Sequence, residues 1–399
     1  MPNYSSHHNG PTARSDARTL PPQSDEEQEH SDRLVRRVRE EISRSGGAIP
    51  FARFMQLVLY APGLGYYAAG RRKFGAGGDF ITAPELGPLF ARCLARQCRQ
   101  ILGALAGGDI LEAGAGSGAL AADLLIELES LGCLPRRYAI LELSAELRAR
   151  QAKTIKHRAP HLLSRVHWLD APPASIRGII LGNELLDAMP AVRFRVAPDG
   201  IRELYVTWEN DRFAWQEKPA ERPVQARVVP LALAPGYTSE INWHAEAWVR
   251  TMADTLQQGV LLLIDYGFPR AEFYHPQRTD GTLMCHYRHR AHANPLILVG
   301  LQDITAHVDF TGIAAAGTGA GLRLLGYTSQ AAFLIGCGLE QLAAQSDPEN
   351  TRAHLELTQQ IKKLTLPHEM GELYKVIAFG RGAGEPLLGF VARDRRGRL

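Results

Sequence analysis

Cysteine is scarce in this chain and is not spaced for cross-linking. The 399 residues include 5 cysteines, which is an odd number, and no two of them form a C-x-x-C pair. Disulfide frameworks and structural zinc sites need paired or closely spaced cysteines. The sequence therefore argues against both, and it is typical of a protein in a reducing compartment.

Long apolar runs and a strong net charge are also missing. No run approaches the ~18 residues that span a bilayer, and the N-terminus lacks the uninterrupted apolar core of a signal peptide. The formal net charge is only +3, and no basic stripe is interleaved with aromatic residues. We therefore expect no membrane insertion and no nucleic-acid partner.

The composition changes along the chain and indicates where its parts begin and end. Residues 1–31 are rich in Ser, His, Pro and acids, as in "SDEEQEHSD", which predicts a disordered tail. Such acids are unusual in a mitochondrial presequence, so we expect a cytoplasmic location rather than the mitochondrial matrix. Residues 391–399 predict a basic tail, and the folded part divides into a helical region over 32–106 and a larger domain over 107–390.

The larger domain begins with alternating strand and helix patterns. The predicted elements are strands at 109–112, 137–141, 165–169 and 178–181 and helices at 119–131 and 145–156. Strands that alternate with helices predict a parallel, doubly wound α/β sheet. Residues 192–240 break this order, because period-two runs around "PDG" and "END" are typical of β-hairpins. We therefore predict an inserted hairpin region after the fourth strand.

A glycine-rich turn follows the first predicted strand. In "EAGAGSGALAADLL", Gly114, Gly116 and Gly118 stand at alternate positions before a helix. Backbone N–H groups at such a helix start bind nucleotide-like ligands at the carboxyl edge of an open sheet. The glycine spacing fits both the dinucleotide pattern and the S-adenosylmethionine pattern. On this evidence the chain could therefore also be a nicotinamide-dependent oxidoreductase.

Acidic residues at the strand ends favour S-adenosylmethionine as the cofactor. Glu112 ends the first strand, where a carboxylate would repel a pyrophosphate and attract a sulfonium and an ammonium group. Glu142, after the second strand, can accept hydrogen bonds from ribose hydroxyls. Asp170 follows the third strand and either meets the adenine amino group or serves as a turn residue before Ala-Pro-Pro.

Two carboxylates follow the fourth strand in "GNELLDAMP". Glu184 and Asp187 are three residues apart, so a short helix would place both on one face. There they would bind a cationic group through charge-assisted hydrogen bonds and receive a proton from it. In the alternative interpretation, Asn183 is the N-cap of a helix whose first turn carries the two acids.

A histidine flanked by acids occurs further along the chain, in "DITAHVDF". His307 can receive a proton, because an unperturbed histidine has a pKa of ~6.5, and Asp309 beside it is a second candidate for catalysis. A packed structural histidine is the alternative. Cys285 and the histidines of "CHYRHRAH" lie in a segment that reads as a loop, and we predict no metal site there.

The segment before the sheet is predicted to cover the cofactor. In "GGDFITAPELGPLF", Thr82 and Glu85 form a T-x-x-E capping box with Pro84 in the first turn, which predicts a helix to about Leu105. The glycines before this helix favour a lid over residues 75–85. We therefore add Thr82, Pro84 and Glu85, together with Asn183, to the cofactor-binding residues.

The chain resembles the class I methyltransferase-like family that includes the mitochondrial complex I assembly factor arginine methyltransferase and its bacterial homologues. The segments that carry the resemblance include "ILEAGAGSGALAADLL", "LGNELLDAMP", "LLLIDYGF", "LQDITAHVDF" and "MGELYKVIAFG". The resemblance implies a Rossmann-like class I methyltransferase fold with a helical N-terminal cover, and S-adenosyl-L-methionine as cofactor. It also implies a protein arginine as methyl acceptor, on a subunit of respiratory complex I. A non-catalytic assembly chaperone with a retained cofactor pocket is the alternative, and the oligomeric state, a homodimer included, stays open.

Overall fold

Strands and helices are found throughout the described part of the chain. The computed structural model describes residues 20–69, 82–347, 349–383 and 386–399. The strands are β1 (Ala48–Pro50), β2 (Asp109–Ala113), β3 (Tyr138–Leu141), β4 (Val166–Leu169), β5 (Ile176–Asn183), β6 (Val192–Ala197), β7 (Gly200–Glu209), β8 (Arg212–Pro219), β9 (Thr238–Ile241), β10 (Leu256–Phe268), β11 (Met284–Tyr287), β12 (Arg290–His292), β13 (Asp303–Thr305), β14 (Val308–Asp309), β15 (Arg323–Ser329) and β16 (Tyr374–Arg381). The α-helices are α1 (Asp25–Arg44), α2 (Phe51–Tyr60), α3 (Leu89–Ala104), α4 (Ala119–Ser130), α5 (Ala145–Arg158), α6 (Arg222–Val228), α7 (Trp243–Thr255), α8 (Arg270–Phe273), α9 (Phe310–Gly319), α10 (Gln330–Gly336), α11 (Leu339–Ala343), α12 (Thr351–Thr365), α13 (Met370–Leu373) and α14 (Leu388–Val391). Short 3₁₀ helices cover Ala83–Glu85, Pro160–Arg165, Val229–Leu231 and Arg396–Arg398.

The central sheet is doubly wound and mostly parallel, as predicted. Its strand order is β15-β16-β10-β5-β2-β3-β4, and β14 pairs with the end of β10. The strands from β10 to β4 run parallel to one another, whereas β16 is antiparallel to both β10 and β15. The carboxyl ends of β2, β3, β5 and β10 therefore meet at one edge, where open α/β sheets bind their ligands.

Helices cover both faces of this sheet. Successive strand residues point to opposite faces, so Ile179 and Leu181 of β5 pack in the core with α3 and α4. Ile180, between them, packs with α7 and α9. A strand buried on both faces reads as a continuous apolar run, which explains "GIILG" in β5 and "GVLLLI" in β10.

The inserted hairpins form a second sheet that also includes a strand from the N-terminal region. β6, β7 and β8 are consecutive antiparallel strands, and β9 pairs with β6. Asn210 and Asp211 join β7 to β8 with positive φ angles of 50° and 57°, as a type I′ hairpin turn requires. β1 pairs with β7, so the N-terminal cover and the insertion belong to one unit.

The first helix begins earlier than the predicted tail boundary allows. Residues 25–31 lie in α1, whose N-cap Ser24 forms a capping box with Glu27. Arg288 donates two hydrogen bonds of 3.0 Å to the buried carboxylate of Glu27. These contacts hold the start of α1 against the rest of the protein, which the polar composition did not reveal.

The prediction of a helix that begins at Thr82 is wrong. The side chain of Thr82 makes no capping hydrogen bond, residues 83–85 form a 3₁₀ helix, and α3 starts only at Leu89. Gly87, with a φ of +143°, and Pro88 separate the two helices, because proline disfavours the α conformation in the residue before it. The segment 75–81 of the predicted lid lies outside the described residues.

Most residues of the basic end of the chain are exposed, but ion pairs attach it to the rest of the protein. Arg395 makes two hydrogen bonds to Glu372, at 2.7 and 2.8 Å, and Arg398 donates to Glu272 at 2.6 Å. Pairing with these carboxylates explains how so basic a segment is held at the protein surface. Among the described residues, every helix is too short or too polar to cross a bilayer.

Candidate active site

A cavity of about 1260 Å³ lies at the carboxyl edge of the central sheet. Its walls come from the ends of β2, β3 and β5, the glycine turn and the chain after α2. The lining carboxylates are those of Glu85, Glu112, Glu142, Glu146, Glu184, Asp187 and Asp303. Among the described residues, no lysine or arginine lines it. The volume exceeds that of most single-ligand pockets, about 300–1000 Å³, so the cavity has room for two ligands.

The glycine turn adopts a backbone that only glycine accommodates easily. Gly114, Gly116 and Gly118 have φ angles of 70°, 53° and 85°. Of the three glycines predicted to bind the cofactor, Gly114 and Gly116 line the cavity and Gly118 does not. A Cβ on Gly118 would lie 2.9 Å from the Cα of Gln151, so Gly118 instead lets α4 begin close against α5.

The two predicted adenosine-side acids lie in different places. Glu142 lines the cavity, accepts hydrogen bonds from the Ser144 N–H at 2.9 Å and Gln151 Nε2 at 3.1 Å, and has a pKa raised by burial. Asp170 is exposed, is absent from the cavity lining, and pairs with Arg148 at 2.5 Å. The structure therefore favours the turn-residue interpretation for Asp170.

Glu112 is a buried acid beside the glycine turn. Its side chain lines the cavity and accepts a hydrogen bond of 2.7 Å from the Tyr138 hydroxyl. Burial raises the pKa of Glu112 to about 7. A carboxylate in this place is stabilised by a nearby positive charge, since desolvation disfavours its ionised form.

Glu184 and Asp187 lie in a tight turn, and the short helix predicted for them does not form. Glu184 has a positive φ of 50°, which is unusual for a residue other than glycine. Asp265, at the end of β10, accepts hydrogen bonds from the N–H groups of Leu185 and Leu186 at 3.0 and 2.8 Å, and from Asp187 at 3.4 Å. One buried carboxylate thus binds three successive amides and shapes the turn.

Both acids of this turn still line the cavity, and their surroundings favour the protonated forms. The half-buried Glu184 accepts hydrogen bonds from the Tyr374 hydroxyl at 3.0 Å and Asn183 Nδ2 at 3.2 Å. Burial, and then the charge of Asp187, raise the pKa of Glu184 to about 7, and burial also raises the pKa of Asp187. Within the described residues, Oδ1 of Asp187 and Oδ1 of Asn183 are buried without a hydrogen-bond donor.

The predicted catalytic histidine lines the cavity in a packed environment. Nδ1 of His307 lies 3.2 Å from the carbonyl oxygen of Thr282, and its ring stacks on Phe268 with centroids 5.3 Å apart. Burial lowers the pKa of His307 to about 3. The imidazole is therefore neutral near pH 7 and a weak base.

Asp309, the other predicted catalytic residue of this segment, is absent from the cavity lining. Its Oδ1 accepts hydrogen bonds from the N–H groups of Thr311 and Gly312, both at 3.1 Å, and so caps α9. Its Oδ2 pairs with Arg270 at 2.9 Å. These contacts give Asp309 a structural role, because capping and pairing use both oxygens.

The residues of the predicted lid that are described do reach the cavity. Thr82, Pro84 and Glu85 all line it. Glu85 accepts a hydrogen bond from the hydroxyl of Ser117 in the glycine turn. This bond ties the short 3₁₀ helix to the turn and replaces the capping role predicted for Glu85.

Tyrosines form a large part of the wall and were missed by the sequence interpretation. Tyr60, Tyr67, Tyr266 and Tyr374 line the cavity, and the Tyr67 hydroxyl donates to Asp303 at 2.8 Å. Tyr266 of "DYGF" lies near the end of β10, and Tyr374 of "ELYKV" begins β16. Their positions at the ends of apolar strands were the available signal. The hydroxyls of Tyr67 and Tyr374 donate to carboxylates that would otherwise be buried alone, whereas the Tyr60 hydroxyl donates to the Ala188 carbonyl oxygen at 2.8 Å.

The histidine-rich segment contributes one residue to the cavity. His286 lines it, and burial lowers the pKa of His286 to about 4. In the parts of the chain that the structure describes, no group of three or more His, Cys, Asp or Glu side chains is arranged to hold a metal ion.

Comparisons with known proteins decide between the two cofactor patterns. Residues 93–328 match the Methyltransf_28 family of S-adenosyl-L-methionine-dependent methyltransferases. The chain belongs to this family. A COG1565 superfamily protein from Burkholderia thailandensis, solved with S-adenosyl-homocysteine bound, is 46% identical and superposes with a TM-score of 0.93 over 96% of this chain and 100% of that one.

More distant relatives carry the name of protein arginine methyltransferases. The mitochondrial protein arginine methyltransferase NDUFAF7 homologue of Drosophila melanogaster is 28% identical over 389 residues, covering 88% of this chain and 85% of its own length. The mitochondrial NDUFAF7 of Homo sapiens is 26% identical over 377 residues, with 84% and 80% covered. Each match spans nearly the whole fold.

The cofactor of this methyltransferase is S-adenosyl-L-methionine, and the described residues fit it. Gly114 and Gly116 bring bare backbone to the cavity, and Glu142 presents a carboxylate for hydroxyl groups. The unsatisfied Oδ1 of Asn183 is an acceptor without a donor. Glu112 adds a titratable acid beside the glycine turn, which suits a cationic ligand. The family match and the neighbour with bound S-adenosyl-homocysteine, rather than this acid, decide against the nicotinamide alternative.

Proposed function

We propose that the methyl acceptor is the side chain of an arginine in a protein. The observation that carries this proposal is the charge of the cavity, whose described lining has seven carboxylates and no lysine or arginine. Such a lining favours a cationic substrate. A guanidinium fits two carboxylates better than an ammonium does, because its planar N–H groups pair with a carboxylate in a bidentate manner, whereas the ammonium of lysine is a point charge.

The names of the relatives support the same acceptor. Proteins called protein arginine methyltransferase match this chain at 26–28% identity over most of its length. The family resemblance makes a subunit of respiratory complex I the first target to test. We place the reaction in the cytoplasm, a reducing compartment that suits the 5 free cysteines.

Glu184 and Asp187 are assigned to the guanidinium. When bound, S-adenosylmethionine supplies a methyl group whose bond to sulfur breaks, leaving the electron pair on sulfur, as the bond to the acceptor nitrogen forms. The two carboxylates hold that nitrogen in line, which lowers the entropic part of the barrier. The Oδ1 of Asp187, which lacks a donor, is a ready acceptor for a guanidinium N–H.

We also propose that Glu184 accepts the proton that the guanidinium nitrogen loses. Its pKa of about 7 lies near the operating pH, which is favourable for a general base. His307, with a pKa of about 3, would hold a proton poorly, so we assign it a hydrogen bond to the substrate and not the proton transfer.

A labelling experiment tests the proposed acceptor. The purified protein is incubated with S-adenosylmethionine carrying a labelled methyl group and with an extract from cells that lack the protein, and labelled proteins are hydrolysed to amino acids. We expect label in methylated arginine, and at least tenfold less of it with Glu184→Gln. Label in lysine, glutamine or nucleic acid instead would contradict the arginine assignment.

A further inference from the structure

His307 is held in one tautomer by the backbone of Thr282. Its Nδ1 lies 3.2 Å from the Thr282 carbonyl oxygen, and its own backbone N–H donates to Thr282 Oγ1 at 3.2 Å. A carbonyl oxygen can only accept, so the proton of the neutral ring sits on Nδ1. Nε2 of this cavity-lining residue then carries a lone pair and can only accept a hydrogen bond.

The ring of His307 is also fixed in its plane. Phe268 stacks on it with an interplanar angle of 4°, and Tyr266 meets its edge with centroids 4.9 Å apart. The guanidinium of Arg278 lies 4.0 Å from the centroid of Phe268. These contacts leave the imidazole little freedom to rotate or flip.

Thr282 is in turn held by a buried acid of the inserted sheet. Glu240, in β9, has no exposed surface, and its Oε2 accepts from the N–H of Thr282 at 2.8 Å and from its hydroxyl at 3.0 Å. The preceding Gly281 has a φ of +78°, and a Cβ there would lie 2.5 Å from Oε1 of Glu240. Glu240 pairs in register with Arg193 of β6, whose Nε lies 3.6 Å from Oε1.

We propose that Glu240, acting through Thr282, is a positioning residue that directs Nε2 of His307 towards an N–H of the substrate guanidinium. The Thr282 hydroxyl donates to Glu240 and accepts from the His307 backbone, so its direction is set at both ends. This gives the inserted sheet a part in the reaction. The hydrogen bond from the substrate to His307 rests on the proposed arginine substrate, whereas the role of Glu240 in fixing the His307 ring does not.

Thr282→Val and Thr282→Ser test this chain of contacts, because valine keeps the shape without the hydroxyl and serine restores it. The ¹⁵N resonances of the His307 ring are recorded on protein loaded with S-adenosyl-homocysteine and without substrate. We expect one Nδ1–H tautomer in the wild type and the serine variant, and mixed tautomers in the valine variant. We also expect kcat to fall tenfold or more in the valine variant, with an unchanged dissociation constant for S-adenosyl-homocysteine.

Thr255→Val, which removes a buried threonine hydroxyl donating within α7, is the matched control and is expected to leave both readouts unchanged. Glu240→Gln repeats the test without changing Thr282, and we expect the same mixing of tautomers. Wild-type ring resonances and kcat in both Thr282→Val and Glu240→Gln would overturn the proposal. A single tautomer in the wild type, together with methylation of a residue other than arginine, would contradict the proposed function and leave the role of Glu240 in holding the ring intact.

Discussion

At the scale of single residues, the chemistry of the site comes from carboxyl groups removed from water. Glu184 is close to a second acid and has one hydroxyl donor, Tyr374. Burial and a neighbouring like charge both make ionisation harder, and the positive charge of a bound guanidinium would favour the ionised form. We therefore expect substrate binding and the ionisation of Glu184 to be linked.

A pH profile at saturating cofactor measures this linkage. A pKa raised to about 7 means that Glu184 is ionised above pH 7 and becomes protonated as the pH falls through 7. We expect kcat/KM for the protein substrate to fall about tenfold between pH 8 and pH 6. A flat profile down to pH 5.5, as an ordinary glutamate with a pKa near ~4.3 would give, would contradict the assignment.

The sequence distinguished some site residues better than others. Glu184 and Asp187 were predicted to share a site from their position after a strand, and both line the cavity. Asp309 was grouped with His307 by proximity in the chain, yet it caps α9. Neighbours in sequence can point in different directions when a strand turns into a helix, and the spacing alone does not show where this happens.

At the scale of elements, the glycine turn matters through what packs behind it. Gln151 of α5 donates to Glu142 at 3.1 Å and to the carbonyl of Gly116 at 3.2 Å. Gly118 lies against the backbone of Gln151, and a Cβ added to Gly118 would lie only 2.9 Å from the Cα of Gln151. The third glycine therefore affects the cofactor site indirectly, by allowing α5 to lie close.

Gly118→Ala and Gly132→Ala separate packing from backbone strain. Both glycines have positive φ, 85° and 65°, but a Cβ on Gly132 meets nothing within 4 Å. We expect Gly132→Ala to lose about 1–2 kcal/mol of unfolding free energy and to bind S-adenosyl-homocysteine normally. We expect Gly118→Ala to lose more unfolding free energy than Gly132→Ala. We also expect it to bind S-adenosyl-homocysteine at least tenfold more weakly than the wild type, as measured by titration calorimetry. Equal affinities in the two variants would exclude the packing explanation.

Two capping-box patterns show what local sequence can and cannot decide. Ser24 and Glu27 form a real capping box at the start of α1, although their surroundings suggested a tail. Thr82 and Glu85 have the same spacing but start only a 3₁₀ helix. The difference lies downstream, since Gly87 and Pro88 interrupt the second segment, whereas an amphipathic helix follows the first.

At the scale of the whole molecule, the site needs three parts of the chain. The central sheet supplies the glycine turn and the acids at its strand ends, α2 and the chain after it supply Tyr60 and Tyr67, and the inserted sheet holds the segment of His307. Alternation of strands and helices predicted the first part well. The pairing of β1 with β7 joins residues far apart in sequence, and no local pattern predicts it.

We propose that the turn of Glu184 and Asp187 binds a charged guanidinium, and a direct binding measurement tests this. Once the labelled arginine is located by mass spectrometry, a peptide containing it is titrated at pH 8 into protein loaded with S-adenosyl-homocysteine. The same peptide with citrulline, which has a similar shape but no charge, is the comparison. We expect the arginine peptide to bind at least tenfold more tightly, about 1.4 kcal/mol, and this difference to shrink to about threefold or less in Glu184→Gln. Equal affinity of the wild-type protein for the two peptides would contradict the account.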